Sequence, residues 1–171
     1  MAESGFFQNE LTKKIARFLN EIGIPTIPAK LDRETFLPGI LVREGTLLVD
    51  EENLAFPGDL LHEAGHLAVA PAEIRHLLGD EVIVPQADLD ALEVEAIAWS
   101  YAACLHLQID PRVVFHESGY KGKSENLLLN FALGVFVGIS GLESGGMTYS
   151  EMTAREKGAA PFPAMRRWLK D

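Results

Sequence analysis

The sequence has little cysteine, no excess of basic residues and no long uninterrupted apolar run, and each shortage excludes a class of protein. A single cysteine, Cys104, among 171 residues excludes an internal disulfide and any metal cluster built from several thiolates. Fifteen Lys and Arg against 25 Asp and Glu give a formal net charge of −10. Phosphate binding needs clustered cations, so we predict no direct nucleic-acid partner. Cys104 lies in an apolar helical segment and is predicted to be buried and unreactive.

Residues 127–142 form an apolar segment that resembles a membrane span but is interrupted by glycine and polar residues. A bilayer needs roughly 20 apolar residues, and this segment falls short of that length. The N-terminus carries Glu3 where a secretion signal would carry positive charge. We therefore predict no membrane association and a cytoplasmic location. The sequence does not indicate an oligomeric state.

Helix-type and strand-type apolar spacing occur in separate segments, which predicts one α+β domain over residues 1–171. Helical spacing predicts an N-terminal helix over residues 7–22, ended by Gly23 and Pro25. Two β-rich runs at 40–43 and 46–49, joined by Glu44-Gly45, predict a hairpin. Four further helices are predicted: 59–69 with Asp59 as N-cap, 88–107 with Asp88 as a candidate N-cap, 125–142, and 161–170.

The most specific signal is His62-Glu63-Ala64-Gly65-His66, which falls inside a predicted helix with apolar residues on both sides. Histidines four residues apart lie one turn apart on the same face of a helix. Two neutral imidazoles so placed can bind Zn²⁺, and the Glu beside the first His can take a proton from the zinc-bound water. The motif therefore predicts His62 and His66 as zinc ligands and Glu63 as the catalytic base. Gly65 costs ~1 kcal/mol relative to alanine within a helix, which predicts a close approach by neighbouring backbone.

A catalytic zinc site needs a third protein ligand, and the next long helix offers two candidates. Glu93 and Glu95 lie about 200° apart around that helix, so only one of them can face the metal. Glu93 is favoured because its helix face carries smaller residues, whereas Glu95 shares its face with Trp99. His76 lies beyond Pro71 and would reach the metal only if the intervening chain folded back.

These residues resemble those of a gluzincin, specifically the ImmA/IrrE family of small zinc metallopeptidases. That family pairs a His-Glu-x-x-His helix with a downstream Glu-x-Glu-Ala segment, which is similar to residues 93–96 here. The similarity runs from about residue 40 to about residue 107. It implies Zn²⁺ bound by His62, His66 and Glu93 in a minimal gluzincin-like fold, mostly helical, with a small antiparallel sheet or hairpin beside the motif helix. It also implies that a peptide adds as an extra strand along the hairpin, with Thr46–Val49 as the expected edge.

Two features around the predicted site concern its hydrogen bonds. Relatives usually place Asn or Asp four residues after the ligand Glu, where it can support a metal-bound His, whereas this chain has Ile97. Loss of such a partner typically weakens metal affinity or activity about 10–100-fold. A donor to the tetrahedral oxyanion is also required, and spacing does not choose among Tyr101, Tyr120 and Tyr149.

The predicted function is zinc-dependent hydrolysis of a peptide bond in a protein or peptide substrate, with Glu63 activating the zinc-bound water. A second hypothesis, motivated by Ile97 and the small size, is a catalytically weak or inactive metal-binding module of the same fold with a regulatory or interaction role. A third is that no metal binds, and that His62 and His66 are solvent-facing residues of an amphipathic helix.

Overall fold

A computed structural model describes residues 6–80 and 86–171, with side chains described from residue 90 onward in the second range. Helices and a small sheet are both present, which confirms the α+β class. The helices are α1 Glu10–Ile22, α2 Asp59–Val69, α3 Ala72–Arg75, α4 Gln86–Leu107, α5 Ser124–Ala132, α6 Ile139–Ser144 and α7 Glu151–Lys157. The strands are β1 Thr26–Pro28, β2 Ile40–Arg43 and β3 Thr46–Val49, and short 3₁₀ turns occur at Pro111–Val113 and Tyr120–Gly122.

Helix α1 forms where the apolar spacing predicts it, and local capping fixes both ends. The Asn9 side chain accepts hydrogen bonds from the Leu11 and Thr12 amides at 2.9 and 3.1 Å. Gly23 ends the helix in the left-handed region with a φ of 96°. The apolar face of the helix, including the fully buried Ile15, packs into the core.

The predicted hairpin is confirmed, but the sheet is mixed. Strands β2 and β3 pair antiparallel across Glu44 and Gly45, both at positive φ as a two-residue turn of this kind requires. Strand β1 pairs with β3 in parallel, so the order is β1-β3-β2. The prediction that Thr46–Val49 is an edge strand is therefore wrong. The short run at β1 was not predicted, because three residues carry no readable alternation.

Both outer edges of the sheet are occupied by other parts of the chain. On β1, the Asn20 side-chain amide accepts from the Thr26 amide at 3.0 Å and donates to the Thr26 carbonyl at 3.0 Å. On β2, the Val42 carbonyl accepts from the Asp80 amide at 3.1 Å, and the Val42 amide donates to the Asp80 carboxylate at 3.2 Å. A peptide that adds to either strand must compete with these bonds.

Helices α2 and α4 pack closely against each other, and Gly65 lies at their contact. A Cβ at Gly65 would lie 2.9 Å from the Ala96 carbonyl oxygen, which confirms the predicted backbone approach. Trp99 and Cys104 of α4 are fully buried. Burial raises the pKa of the Cys104 thiol to about 12, so the thiol is protonated and unreactive, as expected. Helix α4 begins at Gln86, two residues before the predicted N-cap Asp88, whose side chain lies outside the described residues.

The single helix predicted over residues 125–142 is wrong, since α5 ends at Ala132 and α6 begins only at Ile139. Gly134 and Gly138 adopt φ values of 74° and 75°, which lie outside the right-handed helical region. A Cβ at Gly138 would lie 2.1 Å from the Val94 carbonyl oxygen, so that glycine also permits a close contact with α4. Of the helices that the structure describes, none is long and apolar enough to cross a membrane.

The helix predicted over residues 161–170 is also wrong. This segment contains two prolines and runs back along residues 147–149, where Met165 forms a β-bridge with Thr148. Helix α7 lies just before it instead. The signal for α7 was present in the sequence, because Ser150 is an N-cap residue and Gly158 is a left-handed C-cap.

Candidate metal centre

Three of the predicted site residues meet between α2 and α4. One turn of α2 brings the Nε2 atoms of His62 and His66 to 3.1 Å from each other. Glu93 on α4 faces both rings, with one carboxylate oxygen 3.2 Å from His66 Nε2 and the other 3.7 Å from His62 Nε2. The close packing of the two helices at Gly65 is what brings Glu93 within reach of the histidines.

The donor set and its spacing fit a divalent metal such as zinc. Two imidazole nitrogens and a carboxylate oxygen are zinc ligands, and ligand bonds of about 2.0–2.1 Å in a tetrahedral site put neighbouring ligand atoms roughly 3.3 Å apart. The three separations here, 3.1, 3.2 and 3.7 Å, lie around that value. His62, His66 and Glu93 could therefore hold the ion.

The group is open on one side. The side chain of His62 is 15% exposed, whereas those of His66 and Glu93 are 31% and 42% exposed. A purely structural zinc site is closed by four protein ligands, whereas a catalytic site keeps one position accessible. Glu63 lies beside the histidines, since one oxygen of its carboxylate and one ring nitrogen of each histidine are all within 4.8 Å of one another.

The protonation of the two histidines differs. Burial and the neighbouring His66 lower the pKa of His62 to about 4, so His62 is neutral at pH 7, as metal binding requires. Burial also acts to lower the pKa of His66, but the hydrogen bond to Glu93 and the negative charges of Glu63 and Glu93 outweigh it and raise that pKa. A metal ion must therefore displace a proton from His66 more often than from His62.

Glu63 has the electrostatic character of a general base. Burial raises the pKa of its carboxyl to about 7, and the acidic groups of Asp80, Glu93 and Asp59 act in the same direction, against His66. A base with a pKa near the working pH can both accept and release a proton during a reaction cycle.

Tyr120 supplies a contact that the sequence did not single out. Its hydroxyl lies 2.9 Å from His62 Nδ1, the ring nitrogen that faces away from Glu93. Ile97 occupies the position at which relatives place the Asn or Asp that supports a metal-bound histidine. Here it is 7% exposed and belongs to the apolar core. The partner of a histidine therefore comes from the 3₁₀ turn at Tyr120–Gly122 and not from α4. Tyr101 packs among phenylalanine rings, and Tyr149 lies against Lys157 and Arg166.

The alternative third ligand, Glu95, does not face this group. It is 9% exposed and packs beside Gly141 of α6, where an added Cβ would overlap its carboxylate. Burial raises the pKa of Glu95, and one of its oxygens has no hydrogen-bond partner among the described residues. Glu95 is therefore a buried carboxylate that packs against α6 and lies apart from the two histidines. His76 is exposed at the end of α3.

Asp59 does not cap α2 as predicted. The helix begins at Asp59 itself, Gly58 occupies the cap position, and no side chain of the described residues caps the helix. The Asp59 carboxylate instead accepts a hydrogen bond from His116 Nε2 at 2.8 Å. Sequence reasoning could not pair these residues, which lie 57 positions apart.

Comparisons with family models, with curated proteins and with solved structures found nothing that matches this chain.

Proposed function

We propose that this protein is a zinc-dependent peptidase. The observation that carries the proposal is the convergence of His62, His66 and Glu93, at the spacing of zinc ligands, beside a glutamate whose pKa is near 7. Exposure of the group on one side supports a catalytic rather than a structural metal. The resemblance of this constellation to that of the ImmA/IrrE gluzincins supports the same assignment.

Zinc, when bound, supplies a Lewis acid that polarises the scissile carbonyl and makes water more acidic. Glu63 accepts a proton from the water that attacks the carbonyl carbon. As the bond between that carbon and the amide nitrogen breaks, Glu63 delivers the proton to the leaving nitrogen. Tyr120 holds the His62 ring by its Nδ1 atom, which keeps Nε2 directed toward Glu93 and His66.

The substrate class is a protein or peptide, and the sheet restricts how it can bind. Strand β3 is central, so the substrate cannot extend the sheet there. Addition to β2 requires that Asp80 release the amide and carbonyl of Val42. An extended substrate is therefore expected to lie across the exposed side of His66 and Glu93 first.

The test compares zinc-loaded wild type with Glu63→Gln on a set of unfolded polypeptides, with cleavage followed by mass spectrometry. The amide is close in size to the carboxylate but cannot accept the proton, so cleavage should fall at least about 100-fold while bound zinc is unchanged. Equal cleavage by both proteins would remove Glu63 from the reaction. Zinc binding without cleavage of any polypeptide would favour the alternative, a metal-binding regulatory or interaction module.

A further inference from the structure

The segment that carries Tyr120 is attached to α2 at two points one helical turn apart. Tyr120 contacts His62, and His116 contacts Asp59, which lies three residues before His62 on the same helix. Residues three apart on a helix face the same side. The segment 116–120 therefore spans one face of the helix that bears the two histidines.

The Asp59–His116 pair is largely shielded from solvent and is held by further contacts. The two side chains are 11% and 14% exposed, and the His116 ring stacks on Phe56 with centroids 3.8 Å apart and an interplanar angle of 12°. Gly58 permits the approach, because a Cβ there would lie 2.0 Å from the Val113 carbonyl oxygen. The attachment is thus built from side-chain pairing, ring stacking and a backbone contact.

The chain between the two attachment points is compact and turns sharply. The His116 carbonyl accepts from the Gly119 amide at 3.0 Å and from the Ser124 hydroxyl at 2.7 Å. Tyr120 and Lys121 both have positive φ, 54° and 53°, which residues with a Cβ rarely adopt. Surrounding contacts must hold such a backbone in place. His116 lies at the start of this turn, and its contacts are among those that hold the backbone of Tyr120 in place.

We propose that Asp59 and His116 are positioning residues that hold Tyr120 against His62 and thereby fix the orientation of the His62 ring. The inference rests on the proposed function, in that His62 must be a metal ligand for its orientation to matter. With its proton on Nδ1, His62 donates to the Tyr120 oxygen and keeps the Nε2 lone pair free. Neither Asp59 nor His116 contacts the ion in this scheme. Their effect on metal binding passes through Tyr120.

The test measures zinc affinity by competition with a chromophoric chelator for wild type, His116→Ala, Tyr120→Phe and the double variant. Loss of a partner that orients a metal-bound histidine weakens metal affinity about 10–100-fold. We expect His116→Ala and Tyr120→Phe each to fall in that range, and the double variant to be no weaker than the weaker single variant. His116→Gln, whose amide can still donate to Asp59, should stay within about threefold of wild type.

Two controls separate the proposal from general damage. His76→Ala removes an exposed imidazole that lies outside this segment, and should bind zinc as wild type does. Thermal unfolding of the zinc-free variants shows whether each is folded, and His116→Gln serves if His116→Ala is not. Wild-type affinity in His116→Ala, or losses that multiply in the double variant, would overturn the positioning role alone. Absence of zinc binding by wild type would overturn the proposed function, and the positioning role with it.

Discussion

The two glutamates of α4 make the most direct comparison between single side chains. Glu93 faces the histidines, whereas Glu95, two residues later, is buried against α6, and one of its oxygens has no hydrogen-bond partner in the described part of the chain. We expect Glu93→Gln to weaken zinc affinity at least about 10-fold, because an amide is a poorer ligand than a carboxylate. Glu95→Gln is the matched control and should leave affinity unchanged. An equilibrium zinc titration of both variants checks this, and a loss confined to Glu95→Gln would reverse the assignment.

The pKa of Glu63 predicts a pH dependence of stability in the zinc-free protein. Because burial raises that pKa from 4.5 to about 7, the folded protein holds a proton that the unfolded chain releases. Its contribution to stability is therefore full below pH 4.5 and is lost as the pH rises through about 7. Glu63→Gln lacks this loss and should become the more stable protein toward pH 8, by at most roughly 3 kcal/mol.

Denaturant unfolding of both proteins between pH 4 and pH 8 measures this difference. Because the charge of Glu63 also raises the pKa of His66, the comparison reports the titration of Glu63 together with its effect on His66. A gap between the two unfolding free energies that does not change with pH would contradict the raised pKa.

At this scale, the residues of one motif were predictable and the residues that support them were not. The spacing of His62 and His66 determines a shared helix face, because helical periodicity is a local property. The choice of Glu93 followed from the size of its neighbours on the helix. Tyr120 and His116 could not be selected, since each meets its partner only after the chain has turned back over more than 50 residues.

Among the elements, the contact between α2 and α4 determines how far Glu93 lies from His62 and His66. Gly65→Ala would improve intrinsic helix propensity by ~1 kcal/mol, but the new Cβ would lie 2.9 Å from the Ala96 carbonyl oxygen. Overpacking typically costs about 1–3 kcal/mol, so we expect a net loss of stability. Zinc affinity should fall as well, because α4 carries Glu93. Chemical denaturation and zinc titration measure the two effects.

Gly134→Ala is the matched control for this substitution. Gly134, unlike Gly65, has a positive φ (74°) that disfavours a side chain, but a Cβ there would meet nothing within 4 Å among the described residues. It should cost stability through backbone strain and leave zinc affinity unchanged. If Gly65→Ala behaved in the same way, the helix contact would not control the site.

Elements with strong local signals were predicted, and those defined by distant contacts were not. Helix α1 and the hairpin have clear caps and a two-residue turn. The break between α5 and α6 escaped prediction because Gly134 and Gly138 are tolerated within helices as well as in left-handed turns. Residues 161–170 have helix-compatible side chains, but their pairing with residues 147–149 is a long-range contact that a local pattern does not contain.

For the whole molecule, metal binding should be linked to folding. An ion that binds the folded chain at about 1,000 times its Kd adds about 4 kcal/mol of stability. For a protein of this size that corresponds to a rise in Tm of roughly 8–16 °C. A chelator should reverse the rise, and a His62→Ala/His66→Ala double variant should not show it. An equal rise in that variant would mean that zinc binds elsewhere.

The strand order and the contacts at both edges of the sheet also depend on how the whole chain folds. Strand β1 pairs with β3 in parallel after the chain has passed through β2, and Asn20 and Asp80 hydrogen-bond to the outer strands β1 and β2. The sequence predicted only the hairpin, so it placed the free edge on β3. A fold-level property of this kind depends on which segments meet after folding.

The central claim is that His62, His66 and Glu93 together bind one zinc ion. A crystal structure of the zinc-loaded protein, with anomalous scattering recorded on both sides of the zinc edge, tests it most directly. We predict one anomalous peak within about 2.0–2.2 Å of Nε2 of both histidines and of a Glu93 oxygen, with a further coordination position open to solvent. A peak bound by other residues, or a fully loaded protein with no peak at this group, would contradict it.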